Sequence, residues 1–219
     1  MSQVSGNSLD FGGNDYVTVG DLDLTGSFTL EAWMKADSTE GWSSIIMKNM
    51  DYGLEFDTQG RLSASIMNGG SWDAYINFSG ITTGEWHHVA MVWDEVGNDL
   101  YLYVDGELVG SDLNRGNHTG NNNDLMMGAW DNNSEYYDGL IAEVRISNIV
   151  RYTTAFTLPD ALFAVDADTV ALWHLDEGEG QEVDDASGNG WDGVLGTTTA
   201  TQSSDPDWST DSPFSDPGN

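Results

Sequence analysis

The chain has no cysteine, only four prolines and only six lysines and arginines. The first absence excludes a disulfide scaffold, a zinc ribbon and any thiol nucleophile. The second and third shape the rest of the reading. Against six basic residues stand 37 aspartates and glutamates, a formal net charge of −31 at pH 7. A surface that negative repels phosphate backbones and anionic lipid, so neither a nucleic-acid partner nor a polybasic membrane anchor fits. No apolar run approaches the roughly 20 residues of a membrane-spanning helix, which excludes insertion of that kind. Met1-Ser-Gln-Val-Ser lacks the basic start and apolar stretch of a signal peptide, so an exported chain would be a mature fragment. What is present is a core-forming complement: 39% hydrophobic residues, with nine tryptophans, eight tyrosines and seven phenylalanines. The acids are mostly Asp, and 26 glycines accompany them, the composition of many strands joined by tight polar turns.

Hydrophobic periodicity is that of strands almost throughout. Phe28, Leu30, Ala32 and Met34 alternate along one face of a run, as do Trp72, Ala74, Ile76 and Phe78 along another. Trp86 to Trp93 is apolar on both faces, which predicts a central strand with His87 toward solvent and His88 bonded to backbone. Asp105-Gly106 between Leu100–Val104 and Glu107–Gly110 predicts a two-residue hairpin turn. Only Asn148 to Tyr152 suggests a helical turn. About a dozen short strands without crossover helices predict an all-β fold, an antiparallel β-sandwich or barrel. Trp33, Val89, Met91, Leu102, Val144 and Leu172, in the most apolar strands, are the expected core.

Four stretches together resemble the laminin-G-like jelly roll of the concanavalin A-like lectin/glucanase superfamily. They are Ser8 to Val19 with Phe28 to Trp33; Trp86 to Trp93 with Leu102 to Val109; Gly139 to Ser147 with Arg151-Tyr152; and Val170 to Gly180 with Asp184 to Gly193. The resemblance implies a jelly-roll sandwich over residues 1–196. The fourth stretch, which usually opens such a domain, here closes it: residues 168–196 are expected to complete the sandwich rather than begin a repeat. Residues 197–219, rich in Ser, Thr, Asp and Pro, read as a tail or strap held by Trp208 and Phe214.

The superfamily includes glucanases, whose catalytic strand carries alternating acids in a Glu-x-Asp-x-(x)-Glu pattern. No strand shows the full pattern, and Glu177, Glu179 and Glu182 sit among glycines in a turn, so an enzyme is not expected. Two leads remain. Asp184-Asp-Ala-Ser-Gly-Asn-Gly190 offers carboxylates and turn carbonyls suited to Ca²⁺. The resemblance implies a structural calcium between such a turn and the strand Ala142–Ile146, with Asp185, Asn189, a carbonyl from Ala142 and Glu143 as candidate ligands. The same residues could form an Asx-turn without metal. The second lead is aromatic: Trp42, Trp72 and Trp130, with Tyr136 and Tyr137, lie in or beside polar turns, where rings can stack on sugars. The expected function is a non-catalytic extracellular or cell-surface recognition or adhesion module, binding glycan or protein through its loops and stabilised by calcium. The alternative is a structural assembly subunit of a surface layer, filament or virion decoration, whose partners are copies of itself.

Overall fold

A computed structural model describes residues 6–68, 71–115 and 118–214. Met1–Ser5, the Gly69-Gly70 pair before Trp72, part of the polar loop 112–124 and the end of the tail lie outside them. Among the described residues sixteen strands follow in chain order. They are β1 (Ser8–Gly12), β2 (Val17–Gly20), β3 (Phe28–Ala36), β4 (Ser43–Lys48), β5 (Tyr52–Phe56), β6 (Leu62–Asn68), β7 (Ser71–Phe78) and β8 (His87–Asp94). The second half adds β9 (Asp99–Val104), β10 (Glu107–Asp112), β11 (Leu125–Met127), β12 (Asp138–Ser147), β13 (Thr169–Trp173), β14 (Glu182–Val183), β15 (Gly193–Leu195) and β16 (Asp207–Ser209). Among the described residues no helix forms, and Asn148 to Tyr152 is irregular rather than helical.

The strands make two antiparallel sheets. One runs β10-β9-β8-β3-β12-β1-β16, with β13 also on β12; the other runs β14-β15-β2-β11-β4-β5-β6-β7. The expected Asp105-Gly106 turn joins β9 to β10, with φ of 51° and 80° at its two central residues, the left-handed values such a turn needs. Inner faces pack Phe28, Leu30, Met34, Val89, Met91 and Trp93 against Ile46, Tyr52, Leu54, Phe56, Leu62 and Ile66, all buried. All six residues named as core from the sequence are buried. Trp33 and Leu172, however, belong to a second cluster with Ala142 and Phe163, separate from the inter-sheet core.

That second cluster exists because the outer face of the first sheet is roofed. Residues 148–168 cross it, tied by Thr29 Oγ1 donating to Ile149 O, by Phe156 N donating to Gly106 O and by Phe163 N donating to Glu143. The C-terminal segment adds to the roof: β16 pairs with β1, Phe214 packs edge-on against Trp33, and Lys35 and Trp86 both donate to Asp211. The late strands lie within the same two sheets. β13 pairs with the second half of β12, whose first half pairs with β1, so the two lie end to end along one edge rather than side by side. β15 pairs with β2. Neither histidine takes its expected place, since both are buried. His88 is fully buried, its Nε2 3.0 Å from Glu31, whereas His87 bonds Asp105 and accepts from Thr82 N. β3 and β8 both lie inside a roofed sheet, so neither face of His88 meets water.

Candidate functional site

The outer face of the second sheet is open, and three of the five aromatic candidates meet on it. Trp42 enters β4 from a turn in which Gly41 holds φ at 78°. Trp130 is held on a tight loop: its N–H donates to Ser134 O, Asp131 accepts from Asn133 N and Ser134 Oγ, and Ser44 N donates to Glu135 O, fastening the loop to β4. Trp72 reaches this face through a bulge. Ile66 opposes Ala74 but Met67 opposes Trp72, so Asp73 is an extra residue in β7. A bulge shifts all side chains beyond it to the other face. Strict alternation had placed Trp72 with Ala74 and Ile76 toward the core; instead it is 44% exposed beside Tyr75 on the outside.

The rings form one cluster. Trp42 and Trp72 stack at 6.3 Å between centroids with planes 11° apart, Trp130 lies 6.3 Å from Trp72, and Tyr75 packs edge-on at 4.8 Å. Three adjoining cavities share these walls. A middle one of about 230 Å³ is lined by Trp42, Met50, Glu55, Met67, Trp72, Trp130 and Glu135. A flank of about 290 Å³ shares Trp42 and Trp72 with it and adds Asp57, Thr58, Gln59, Arg61 and Tyr75. The other flank, about 230 Å³, shares Trp130 and is lined mainly by Asn49, Asn123, Asp124, Asp131, Asn132 and Thr residues. The result is a groove running across the strands, apolar at its centre and polar at both ends.

Glu55 is the residue that sequence reasoning passed over. It faces outward from β5, opposite Ser44 of β4 and Ser63 of β6, is fully buried, and has no hydrogen-bond partner on either oxygen among the described residues. Burial first, then the neighbouring Glu135 and Asp57, pushes its pKa up to about 8. Glu135 is raised as well, by burial and by Asp131. Glu55-Phe56-Asp57 carries two acids of the glucanase alternation, a signal visible in the sequence, but Gln59 and Gly60 follow where a third would stand. Asp57 is also fully engaged: Oδ1 accepts from Gln59 N and Arg61 N, Oδ2 from the Arg61 guanidinium at 2.8 and 2.5 Å. Those bonds outweigh its desolvation and hold its pKa below the usual carboxylate range.

The two tyrosine candidates lie elsewhere. Tyr137 is fully buried in the core, edge-on to Phe11 at 6.3 Å, because its neighbour Asp138 already begins β12. Tyr136 stacks on Tyr16 at 6.3 Å, its hydroxyl donating to Asn132 O. Neither faces the groove.

The calcium candidates are occupied otherwise. Asp185 accepts from Leu172 N, Ser187 N, Ser187 Oγ and Trp191 N, at 2.7 to 3.2 Å. Asn189 donates its amide to Thr169 O and Val170 O. Ala142 opposes Trp33 in the sheet, and the Glu143 carboxylate binds Phe163 N and His174, raising the His174 pKa. Among the described residues no group of three or more His, Asp or Glu gathers where it could hold a metal. The donor set as it stands does not fit a cation, since an ion at Asp185 would have to replace these hydrogen bonds.

Two antiparallel sheets packed face to face, one roofed and one open, define a concanavalin A-like sandwich. The chain belongs to the Concanavalin A-like lectin/glucanases superfamily, matching its Laminin_G_3 family over residues 11–155. A mouse protein, "Sushi, von Willebrand factor type A, EGF and pentraxin domain-containing protein 1", is 32% identical over 117 residues, 48% of this chain. The match spans only 3% of that much longer protein. In structure, the chain superposes on a candidate carbohydrate-binding protein of Bacteroides ovatus with a TM-score of 0.65 at 19% identity, covering 92% of this chain and 61% of the other. It also superposes on the CBM40 of the Ruminococcus gnavus IT-sialidase bound to α2,3-sialyllactose, with a TM-score of 0.55 at 15% identity, over 67% and 91% of the two chains.

Proposed function

We propose that the chain is a non-catalytic, extracellular glycan-recognition module whose binding face is the groove on the outer face of the second sheet. The observation that carries this is the meeting of Trp42, Trp72 and Trp130, from three separate segments, on one exposed face. Sugar rings present C–H faces that stack on such surfaces, and polar side chains at the groove ends supply hydrogen bonds. Carbohydrate-binding proteins among the structural neighbours are consistent with that reading. Absence of catalysis is supported by the acids themselves. Acid–base pairs need pKa values pushed apart, whereas Glu55 and Glu135 are both raised. The ionised neighbour Asp57 has no lone pair left for a sugar carbon, since Arg61 and two backbone N–H groups take both oxygens.

The test is a glycan array followed by calorimetry on wild type, Trp42→Ala and Trp72→Ala. At least one glycan class should be retained, and each substitution should weaken it tenfold or more while leaving the melting temperature within a few degrees. Retention undiminished in Trp72→Ala, or turnover of the bound glycan, would sink the proposal. Surface labelling or recovery from the medium of producing cells checks the extracellular assignment.

A further inference from the structure

We infer that the middle cavity of the groove recognises an ammonium group, so that the glycan bound there is an oligomer of an amino sugar with free amines. This rests on the glycan-binding reading and names its ligand class. The cavity holds two carboxyls, Glu55 and Glu135, and among the described residues no basic side chain lines it. Arg61, the cation of the adjoining flank, has its guanidinium committed to Asp57. Glu55 is fully buried without a hydrogen-bond partner among the described residues, an arrangement that costs free energy unless a ligand supplies one. Trp42, Trp72 and Trp130 line the same cavity, and indole rings attract a cation, more strongly when it is desolvated. A carboxyl at the base of three indoles is complementary to an ammonium in both charge and shape.

The surroundings favour an ammonium carried on a sugar over a bare alkylated one. The polar flanks extend the groove on both sides of the middle cavity, beyond what one small cation fills. Titration adds a signature. The groups facing Glu55 are Glu135, Asp57 with its Arg61 partner, and Tyr75, whose own pKa burial raises to about 12. With its pKa near 8, Glu55 is mostly protonated at neutral pH, and a bound cation favours its carboxylate. Binding of an amine that is already an ammonium should therefore release up to about one proton, whereas a neutral amine would take up the Glu55 proton and release none.

The experiment titrates β-1,4-linked tetramers of glucosamine, N-acetylglucosamine and glucose, and tetramethylammonium, into wild type, Glu55→Gln and Glu179→Gln at about pH 5.5, where the amines are mostly ammonium and Glu55 is protonated, in 150 mM NaCl. Calorimetry is run in two buffers of different ionisation enthalpy. The glucosamine tetramer should bind at least tenfold tighter than its acetylated and neutral counterparts, with proton release in wild type only. Glu55→Gln should bring all three tetramers within about threefold of one another, while Glu179→Gln, on the distant acidic turn, should behave as wild type. Equal or tighter binding of a neutral tetramer overturns the amino-sugar inference and leaves the glycan reading standing. Loss of binding in Glu179→Gln as large as in Glu55→Gln overturns it too, as general attraction to an acidic surface. Tetramethylammonium bound while every tetramer fails overturns this inference, and a glycan array equally silent overturns the glycan reading as well.

Discussion

Glu31 of the first sheet and Glu55 of the second each lie buried in the middle of an outward-facing row, and the two have opposite fates. Glu31 of β3 accepts from His88 at 3.0 Å, Tyr152 at 2.7 Å and Arg145 at 2.9 Å. Burial alone would raise its pKa, but those partners outweigh it and the net shift is downward. Glu55 of β5 has none of them and is raised to about 8. Both side chains are 0% exposed, so depth does not separate them. What separates them is the company each keeps: His88 and Arg145 on the neighbouring strands and Tyr152 from the crossing segment 148–168 partner Glu31, whereas Glu55 has serines opposite it and tryptophans around its cavity. A buried carboxylate with partners is architecture; one left without them beside a cavity is a candidate site.

The largest effect that tests this contrast should come from Glu31. Glu31→Leu leaves Arg145, His88 and Tyr152 facing an apolar side chain, and should cost about 3–5 kcal/mol in denaturant unfolding. A loss below about 1 kcal/mol would mean that the cluster is no more than a surface network. Next come the pH slopes. Glu55, raised on folding, contributes its full stability below about pH 4.5 and loses it as pH climbs through about 8, at up to about 1.4 kcal/mol per pH unit. Glu31, lowered on folding, contributes above its unfolded value and loses stability as pH falls through its folded one. Melting curves from pH 3 to 9 should therefore show Glu55→Gln stabilised relative to wild type on the alkaline side only. Equal gain at pH 4 would contradict the assignment.

A smaller loss is expected at the Asp185 turn. Asp185→Ala orphans the Leu172 and Trp191 N–H groups and should cost about 1–3 kcal/mol. Because those donors already occupy the carboxylate, melting at fixed ionic strength should not differ between calcium and EDTA. A calcium-specific rise abolished by the substitution would show that the ion displaces them. The smallest effect belongs to the groove rings: Trp72→Ala should change stability by no more than about 1 kcal/mol, since the ring is 44% exposed and lies outside the inter-sheet core.

Much of the fold was legible in the sequence because a period of two is a strong signal wherever one face is buried. Phe28 to Met34 and the Asp105-Gly106 turn carry their structures in a few residues. The site was harder to read, for two physical reasons. Trp72 lies past a bulge, and an extra residue such as Asp73 leaves no mark in composition; only the register reveals that the face has changed. Glu55 sits in Tyr52-Gly-Leu-Glu-Phe56, where alternation shows that it points away from the core but not whether a roof awaits it. That depends on segments a hundred residues downstream. The same long-range dependence hid the partners of His88 and Glu143, both supplied or covered by the crossing segment. Tyr136 and Tyr137 show the converse: proximity to a polar turn does not say which way a ring points.

The pairing of β1 with β16 has a consequence for how the chain can be cut. Ser8 opposes Ser209, and Gly6 lies against Ser212, so the first and last described strands meet at one corner of the sheet. A short bridge across that corner, with a new opening at the exposed Val96 turn between β8 and β9, would leave the register of both sheets as it is. The same reasoning makes the closing position of Val170 to Gly193 unremarkable in energetic terms. A strand contributes its ladder and its buried face wherever in the chain it is encoded, so sandwiches of this kind can be circularly reordered by evolution or by design without rebuilding the groove.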